Sequence, residues 1–205
     1  MDPKTILHKL ENHRPTILGG QNFATFAVLI PLVKKEDHIY VLFEVRSEKL
    51  RRQPGEICFP GGKIDKQDNN PQSAAIRETT EELGIRKQDI MDVYPIDYLV
   101  SPFEMIVYPH VGFISHPERI EPNPPEVGEV FMVPLTFFLE TKPQIHQVHL
   151  NVQPDESFPF DLIVGGHNYQ WRSLKMDEYF FIYGEKVIWG LTAKIISHFT
   201  ELLQK

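Results

Sequence analysis

The residues most able to act together chemically lie in one short run, Arg77-Glu78-Thr79-Thr80-Glu81-Glu82-Leu83-Gly84-Ile85. On a helix turning about 100° per residue, Glu78, Glu81 and Glu82 fall within roughly a 100° arc. Ile76, Thr79, Thr80 and Leu83 fall on the opposite side. One face packs and the other carries three carboxylates. Like charges three and four residues apart destabilise an isolated helix by about 0.2–0.5 kcal/mol per pair. Hard divalent cations reverse that cost, because Mg²⁺ and Mn²⁺ prefer oxygen ligands. A solvated acidic face is the bland alternative. Context argues against it: Gly61-Gly62 precedes the helix, Arg77 adjoins its first glutamate and Gly84 ends it.

The elements that must position this face are legible around it. Asn70 is placed to cap the helix, Pro71 to open it and Gly84 to stop it. Upstream, the apolar run Phe23–Val33 reads as a buried strand and His38–Arg46 as its hairpin partner across the polar link Lys34–Asp37. Gly55–Gly62 is turn-rich around a short strand, Ile57–Phe59. Downstream, Val93–Ser101, Met105–Ser115, Glu129–Pro134 and Tyr179–Tyr183 read as strands. Lys4–Asn12 reads as an opening helix and Thr192–Leu203 as an amphipathic closing helix capped by Thr192. Pro117–Pro125 is a loop, and Lys142–Gly166 loosens into polar residues and prolines. Strands and helices alternate without regular βαβ spacing. The expectation is an α/β fold, an α/β/α sandwich with a mixed sheet, formed by residues 1–205 as one domain.

Composition narrows the function. The chain has 205 residues and a formal net charge of -7, which disfavours nucleic acid and anionic membranes as partners. An acidic protein binds an acidic substrate when divalent cations sit between them. The single cysteine, Cys58, excludes an internal disulfide and fits a reducing compartment. Next to Phe59 it reads as a buried strand residue rather than a nucleophile, since reactive thiols need an electropositive, accessible site. There is no Gly-x-Ser-x-Gly elbow and no His-x-x-x-His pair among the nine histidines. No apolar run approaches the roughly 20 residues of a membrane span. The start lacks a signal-peptide core and the end lacks a peroxisomal or prenyl address, so the cytoplasm is the expected location.

The run from Phe59 to Ile85 resembles the Nudix box, a glycine, loop and helix pattern ending Arg-Glu-(apolar)-x-Glu-Glu-x-Gly-(apolar). Two departures are visible. Thr79 stands at the apolar position after Arg-Glu, and the loop from Gly62 to Arg77 is one residue longer, with Asp68 where a glutamate is usual. The resemblance implies that Glu78, Glu81 and Glu82 ligate Mg²⁺ or Mn²⁺, with Glu78 and Glu82 the catalytic candidates among them. It implies that Arg77 orients the glutamates by charge-assisted hydrogen bonds. Glu126 or Glu129 would add a ligand or base from outside the helix. Such a site neutralises bridging phosphates, lowers the pKa of a bound water and stabilises the leaving phosphate, so no nucleophilic side chain is required.

The segment before the box is similar to the signature of coenzyme A pyrophosphatases within that family: Arg46-Ser47, then Arg51, Gly55 and Phe59-Pro60-Gly61-Gly62. The strand ahead of it has Phe43-Glu44 where the signature often has Leu or Thr. Asn123-Pro124-Pro125-Glu126-Val127 and Trp189-Gly190-Leu191-Thr192-Ala193 extend the resemblance, which covers roughly Phe23 to Phe199. It implies a small nucleotide of the coenzyme A class as substrate. Arg46, Arg51 and Lys63 would contact its phosphates, alongside Gly61 and Gly62. A pyrophosphatase for ADP-ribose or NADH, and a nucleotide sensor that does not cut, remain the alternatives. The oligomeric state stays open, a homodimer included, as does the part played by Lys142–Pro159.

Overall fold

The computed structural model describes residues 2–205. In chain order the elements are α1 (Pro3–Glu11), β1 (Ala24–Lys35), β2 (His38–Arg46), β3 (Ile57–Cys58), β4 (Gly61–Lys63), α2 (Pro71–Leu83), β5 (Ile90–Pro95), β6 (Leu99–Ser101) and β7 (Met105–Ile114). β8 (Val127–Pro134), α3 (Leu135–Glu140), β9 (Gln144–Leu150), β10 (Leu174–Tyr183), β11 (Lys186–Trp189) and α4 (Gly190–Leu203) follow. Eight strands, β1–β8, form a mixed sheet; β9–β11 form a separate three-stranded sheet in the order β11-β10-β9. β1 runs parallel to β7 from Ala24↔Met105 to Leu32↔Phe113, and antiparallel to β2 from Leu32↔Val41 to Lys35↔His38. Beyond that short hairpin the two strands diverge. The fork between them is filled by β4 on β1, through Phe26↔Lys63 to Val28↔Gly61, and by β3 on β2, through Glu44↔Cys58 and Val45↔Ile57.

Alternation along the central strands sends side chains to two cores. Ala27, Leu29, Val33 and Leu42 pack against Ala74, Ala75 and Leu83 of α2. Ile30, Leu32, Val41 and Phe43 pack on the other side with Phe138, Phe181, Ile196 and Phe199 from α3, β10 and α4. Phe43 anchors this second core, stacked on Phe59 at 5.0 Å and on Phe131 at 5.6 Å between ring centroids. The expected sandwich of helices around a mixed sheet is therefore present.

Three local expectations differ from the structure. Val93–Ser101 is two strands, β5 and β6, both lying on β7. Pro95 has no N–H to continue a ladder, and the register shifts between Met91 and Tyr94. The loosened stretch after Lys142 contains β9, whose residues are largely exposed and which exists because β10 offers it an edge. Thr192 does not cap α4. The helix starts at Gly190, and the Thr192 hydroxyl donates to the Ile57 carbonyl at 3.3 Å.

α2 begins and ends as its sequence dictates. Asn70 Oδ1 accepts from Ser73 N–H at 2.8 Å and Ser73 Oγ accepts from Asn70 N–H at 3.1 Å, a reciprocal cap. At the other end Gly84 takes φ 64°. The last carbonyls are claimed by the next loop, Glu121 N–H donating to Leu83 O at 3.0 Å and Asn123 N–H to Glu82 O at 2.9 Å. A Cβ on Gly84 would run into the Glu121 carbonyl. Gly84→Ala should therefore cost about 1–3 kcal/mol in urea unfolding. An unchanged midpoint would mean that the helix end and the 121–123 loop are not locked together.

Candidate active site

The close approach of α2 to β4 builds the site. Glu78 lies with its carboxylate over the backbone of Gly62, where a Cβ would collide with it. Gly61 sits at φ 155° with no room for a Cβ against Ala27 O and Val28, and its N–H donates to Glu82 Oε2 at 2.8 Å. Each glycine of the pair thus seats one glutamate. The sequence wheel put Glu78, Glu81 and Glu82 on one side of the helix, opposite its packing face. The structure grades them instead: Glu81 is exposed, Glu78 intermediate and Glu82 buried at 7% exposure. Opposite them Thr79 is fully buried and donates its hydroxyl to Ala75 O at 2.7 Å, which lets a threonine occupy the apolar position.

Arg77 ties this helix to the loop ahead of it. Its Nη1 donates to Glu78 Oε1 at 2.9 Å and reaches Glu81 Oε2 at 3.4 Å. Its Nε and Nη2 donate to Asp68 at 3.1 and 2.9 Å, and Nη2 also donates to Lys63 O at 3.2 Å. Asp68, in the lengthened loop, is thus the bidentate anchor of the arginine, and Arg77 holds its carboxyl below the usual carboxylate range.

A residue to which the sequence assigned no role stands at the centre of the electrostatics. Glu44 on β2 points to the α2 side of the sheet and is 1% exposed. Burial pushes its carboxyl up to about 7, with Glu126 and Glu78 adding to the rise against Cys58 and Arg46. Burial pushes Glu82 further, to about 9, with Glu44, Glu78 and Glu126 as like-charged neighbours. Burial also raises Glu78, although Arg77 opposes it. The signal for Glu44 was a charged residue inside an otherwise apolar strand, Val41-Leu42-Phe43-Glu44-Val45. Cys58 faces it across the ladder, its thiol pushed well above the usual range by burial and by Glu44, as suits a group that is no nucleophile.

The remaining candidates separate. Glu126 is exposed, held by Asn123 Nδ2 at 3.1 Å, and close enough to raise both Glu44 and Glu82. Glu129 is bound by Lys186 at 2.6 Å. Arg46 lies beside Glu44 and lowers its pKa. The Arg46 Nη2 donates to Arg52 O at 3.3 Å, while its Nε is buried with no partner. Arg51 and the Lys63 side chain are exposed. Among the described residues no three acidic, histidine or cysteine side chains already converge as a cation cage. Glu78 is turned onto Arg77 and Glu82 onto Gly61 N–H.

Comparison with known proteins places this geometry. A family model described as the NUDIX domain matches residues 24–152. The chain belongs to the Nudix family. Its Nudix helix and Gly-Gly turn are the cradle just described. It is 43% identical over 121 residues to the peroxisomal coenzyme A diphosphatase of Mus musculus, covering 59% of this chain and 50% of that protein. It is 31% identical over 183 residues to the mitochondrial coenzyme A diphosphatase of Homo sapiens, covering 88% and 70%. An uncharacterized Nudix hydrolase of Photorhabdus laumondii is 32% identical over 178 residues, covering 87% and 84%. The chain spans about half the length of the first two curated relatives it matches, 50% and 54%. A solved MutT/nudix family protein from Enterococcus faecalis shares the fold, with a TM-score of 0.55 at 15% identity, covering 100% of this chain and 71% of that one. Among the described residues no helix is long and apolar enough to cross a membrane.

Nudix hydrolases generally use divalent metal ions, and the donor set here suits one. It is a group of carboxylate oxygens, several buried and repelling one another, with one Glu44 oxygen enclosed and without a partner. Without a cation the folded state favours protonated Glu44 and Glu82. Both carboxyls titrate higher folded than unfolded, so they stabilise the fold below about pH 4.5 and lose that contribution as pH rises through about 7 and 9. In EDTA the melting temperature should fall between pH 5 and 9. Glu82→Gln should flatten that fall. A pH-independent melting temperature in EDTA would contradict the buried, uncompensated carboxylates.

Proposed function

We propose that this Nudix protein, acting as one domain, hydrolyses the pyrophosphate bond of coenzyme A or of its acyl or oxidised derivatives. The products are 3′,5′-ADP and 4′-phosphopantetheine or its derivative, and the cofactor is Mg²⁺ or Mn²⁺. The observation that carries this reading is the placement of Arg46. It leaves β2 on the same sheet face as the buried carboxylates, inside the Arg46-Ser47, Arg51, Gly55, Phe59-Pro60-Gly61-Gly62 spacing, with a buried N–H still unpaired. The names of the mouse and human relatives support the same substrate class.

Glu78, Glu81 and Glu82 would hold the cation, which when bound would supply charge neutralisation at the substrate phosphates and a water of lowered pKa. Arg77, braced by Asp68, sets the rotamers of Glu78 and Glu81. Glu126, outside the helix and open to solvent, is the carboxylate we assign to receive the proton of the attacking water. Arg46, Arg51 and Lys63 are the cations that meet substrate phosphates, the first from a partly buried position and the other two from exposed ones. The lone cysteine agrees with a reducing compartment, the cytoplasm in the simplest case.

Turnover should be absent in EDTA and return with Mg²⁺ or Mn²⁺. Glu82→Gln, whose amide oxygen can still accept from Gly61, should fold and lose at least about two orders of magnitude in rate. Products identified by mass from a panel of coenzyme A, ADP-ribose, NADH and diadenosine polyphosphates test the substrate. Preference for ADP-ribose over coenzyme A would overturn the assignment and leave only Nudix hydrolysis.

The arginines separate coenzyme A from its analogues more finely. Among the panel only coenzyme A carries a ribose 3′-phosphate. A charge-assisted hydrogen bond contributes about 1.5–3 kcal/mol. Arg46→Ala or Arg51→Ala should therefore lower kcat/KM for coenzyme A roughly 10- to 150-fold more than for dephospho-coenzyme A. Equal losses on the two substrates would assign the arginines to the pyrophosphate instead.

A further inference from the structure

The helix motif leaves the chemistry of Glu44 unexplained. It is 1% exposed, and its Oε1 accepts a hydrogen bond from the Cys58 thiol at 3.3 Å. Its Oε2 is enclosed without any partner. The adjacent Arg46, two residues on and on the same face of the strand, has an Nε that is likewise buried and unpaired. Two orphaned groups of opposite charge on neighbouring positions make no hydrogen bond to each other. Burying either alone is costly, and a chain under selection for stability alone would pair them or replace them with apolar residues. A cation reaching the carboxylate and a phosphate oxygen reaching the guanidinium would satisfy both.

We propose that Glu44 is a further ligand of the divalent cation, entering from β2 at the buried end of the carboxylate group, with the Cys58 thiol holding its rotamer. This rests on the Nudix hydrolase reading and deepens it. The usual helix glutamates do not predict it, because the family signature often has Leu or Thr around this strand position. In this arrangement the buried Glu44 and Glu82 would hold the cation from the sheet side, and the more exposed Glu78 and Glu81 from the solvent side. That end of the group is buried and bounded by the Glu44↔Cys58 rung of the ladder, so the sheet as well as α2 would hold the cation. Cys58 is a positioning residue: its S–H occupies Oε1 and leaves Oε2 directed to the cation.

The test is Mn²⁺ binding without nucleotide, followed by the electron paramagnetic resonance of free Mn²⁺, with thermal unfolding in EDTA and in Mn²⁺. Glu44→Gln, which keeps the shape and an acceptor for Cys58, should bind Mn²⁺ about 10- to 100-fold more weakly. In EDTA at alkaline pH, where Glu44 is ionised, it should melt no lower than wild type, since a buried unpaired charge has been removed. Cys58→Ala should weaken Mn²⁺ binding several-fold, and Cys58→Ser, which keeps a donor, should restore it. Unchanged Mn²⁺ affinity in Glu44→Gln overturns the proposal. So does a Glu44→Gln protein that is less stable than wild type in EDTA at alkaline pH, because Glu44 would then be a structural residue. Unchanged affinity in Cys58→Ala overturns the role of the thiol. Because the readout is binding, wild-type protein that takes up Mn²⁺ but leaves coenzyme A intact would sink the substrate assignment alone.

Discussion

The structure depends on how closely α2 approaches the backbone of β4. Glu82 accepts from Gly61 N–H at 2.8 Å, and Glu78 covers the place where Gly62 would carry a Cβ. Any side chain at either glycine would push the helix away from the sheet and separate the glutamates from the fork between β1 and β2. The fork itself follows from the same contact. Because β4 pairs with the first half of β1, β2 pairs with only its last residues, and β3 takes the space left on β2. Helix, turn and split sheet are one arrangement.

That arrangement buries negative charge. Glu44 and Glu82 are drawn out of water beside each other and beside Glu78 and Glu126, and burial raises both of them and the half-buried Glu78. A protein selected only for stability has little use for such a group, since unpaired buried charge costs more than apolar packing. A divalent cation bound among these carboxylates would compensate for that cost. Arg77 acts differently. It is already shared by Asp68, Glu78 and Glu81, so it braces the outer carboxylates without neutralising the inner ones. Drawing Glu78 onto a cation would loosen its bond to Arg77 while the bidentate hold of Asp68 keeps the guanidinium in place.

The sequence by itself determined what depends on near neighbours in the chain. Asn70, Pro71, Ser73 and Gly84 define α2 through local caps. The spacing of Glu78, Glu81 and Glu82 defines its acidic side, and the link Lys34–Asp37 closes the first hairpin. These features need no partner more than a few residues away. The Gly-Gly turn was legible as well, although its reason, the carboxylates resting on it, was not.

Only the tertiary structure decided the features set by distant partners. Glu82 is buried and Glu81 is not, because β4 covers one end of the acidic arc. Asp68 becomes the anchor of Arg77 because the longer loop folds back across nine residues. β9 forms where an exposed edge of β10 accepts it, against the polar composition of its own segment. Glu44 meets Cys58, fourteen residues on, and Glu82, thirty-eight residues on, only after the sheet forks. A single charged residue in an apolar strand announces that something is unusual. Which charges surround it, and whether they leave it unpaired, is fixed by packing between segments far apart in the chain.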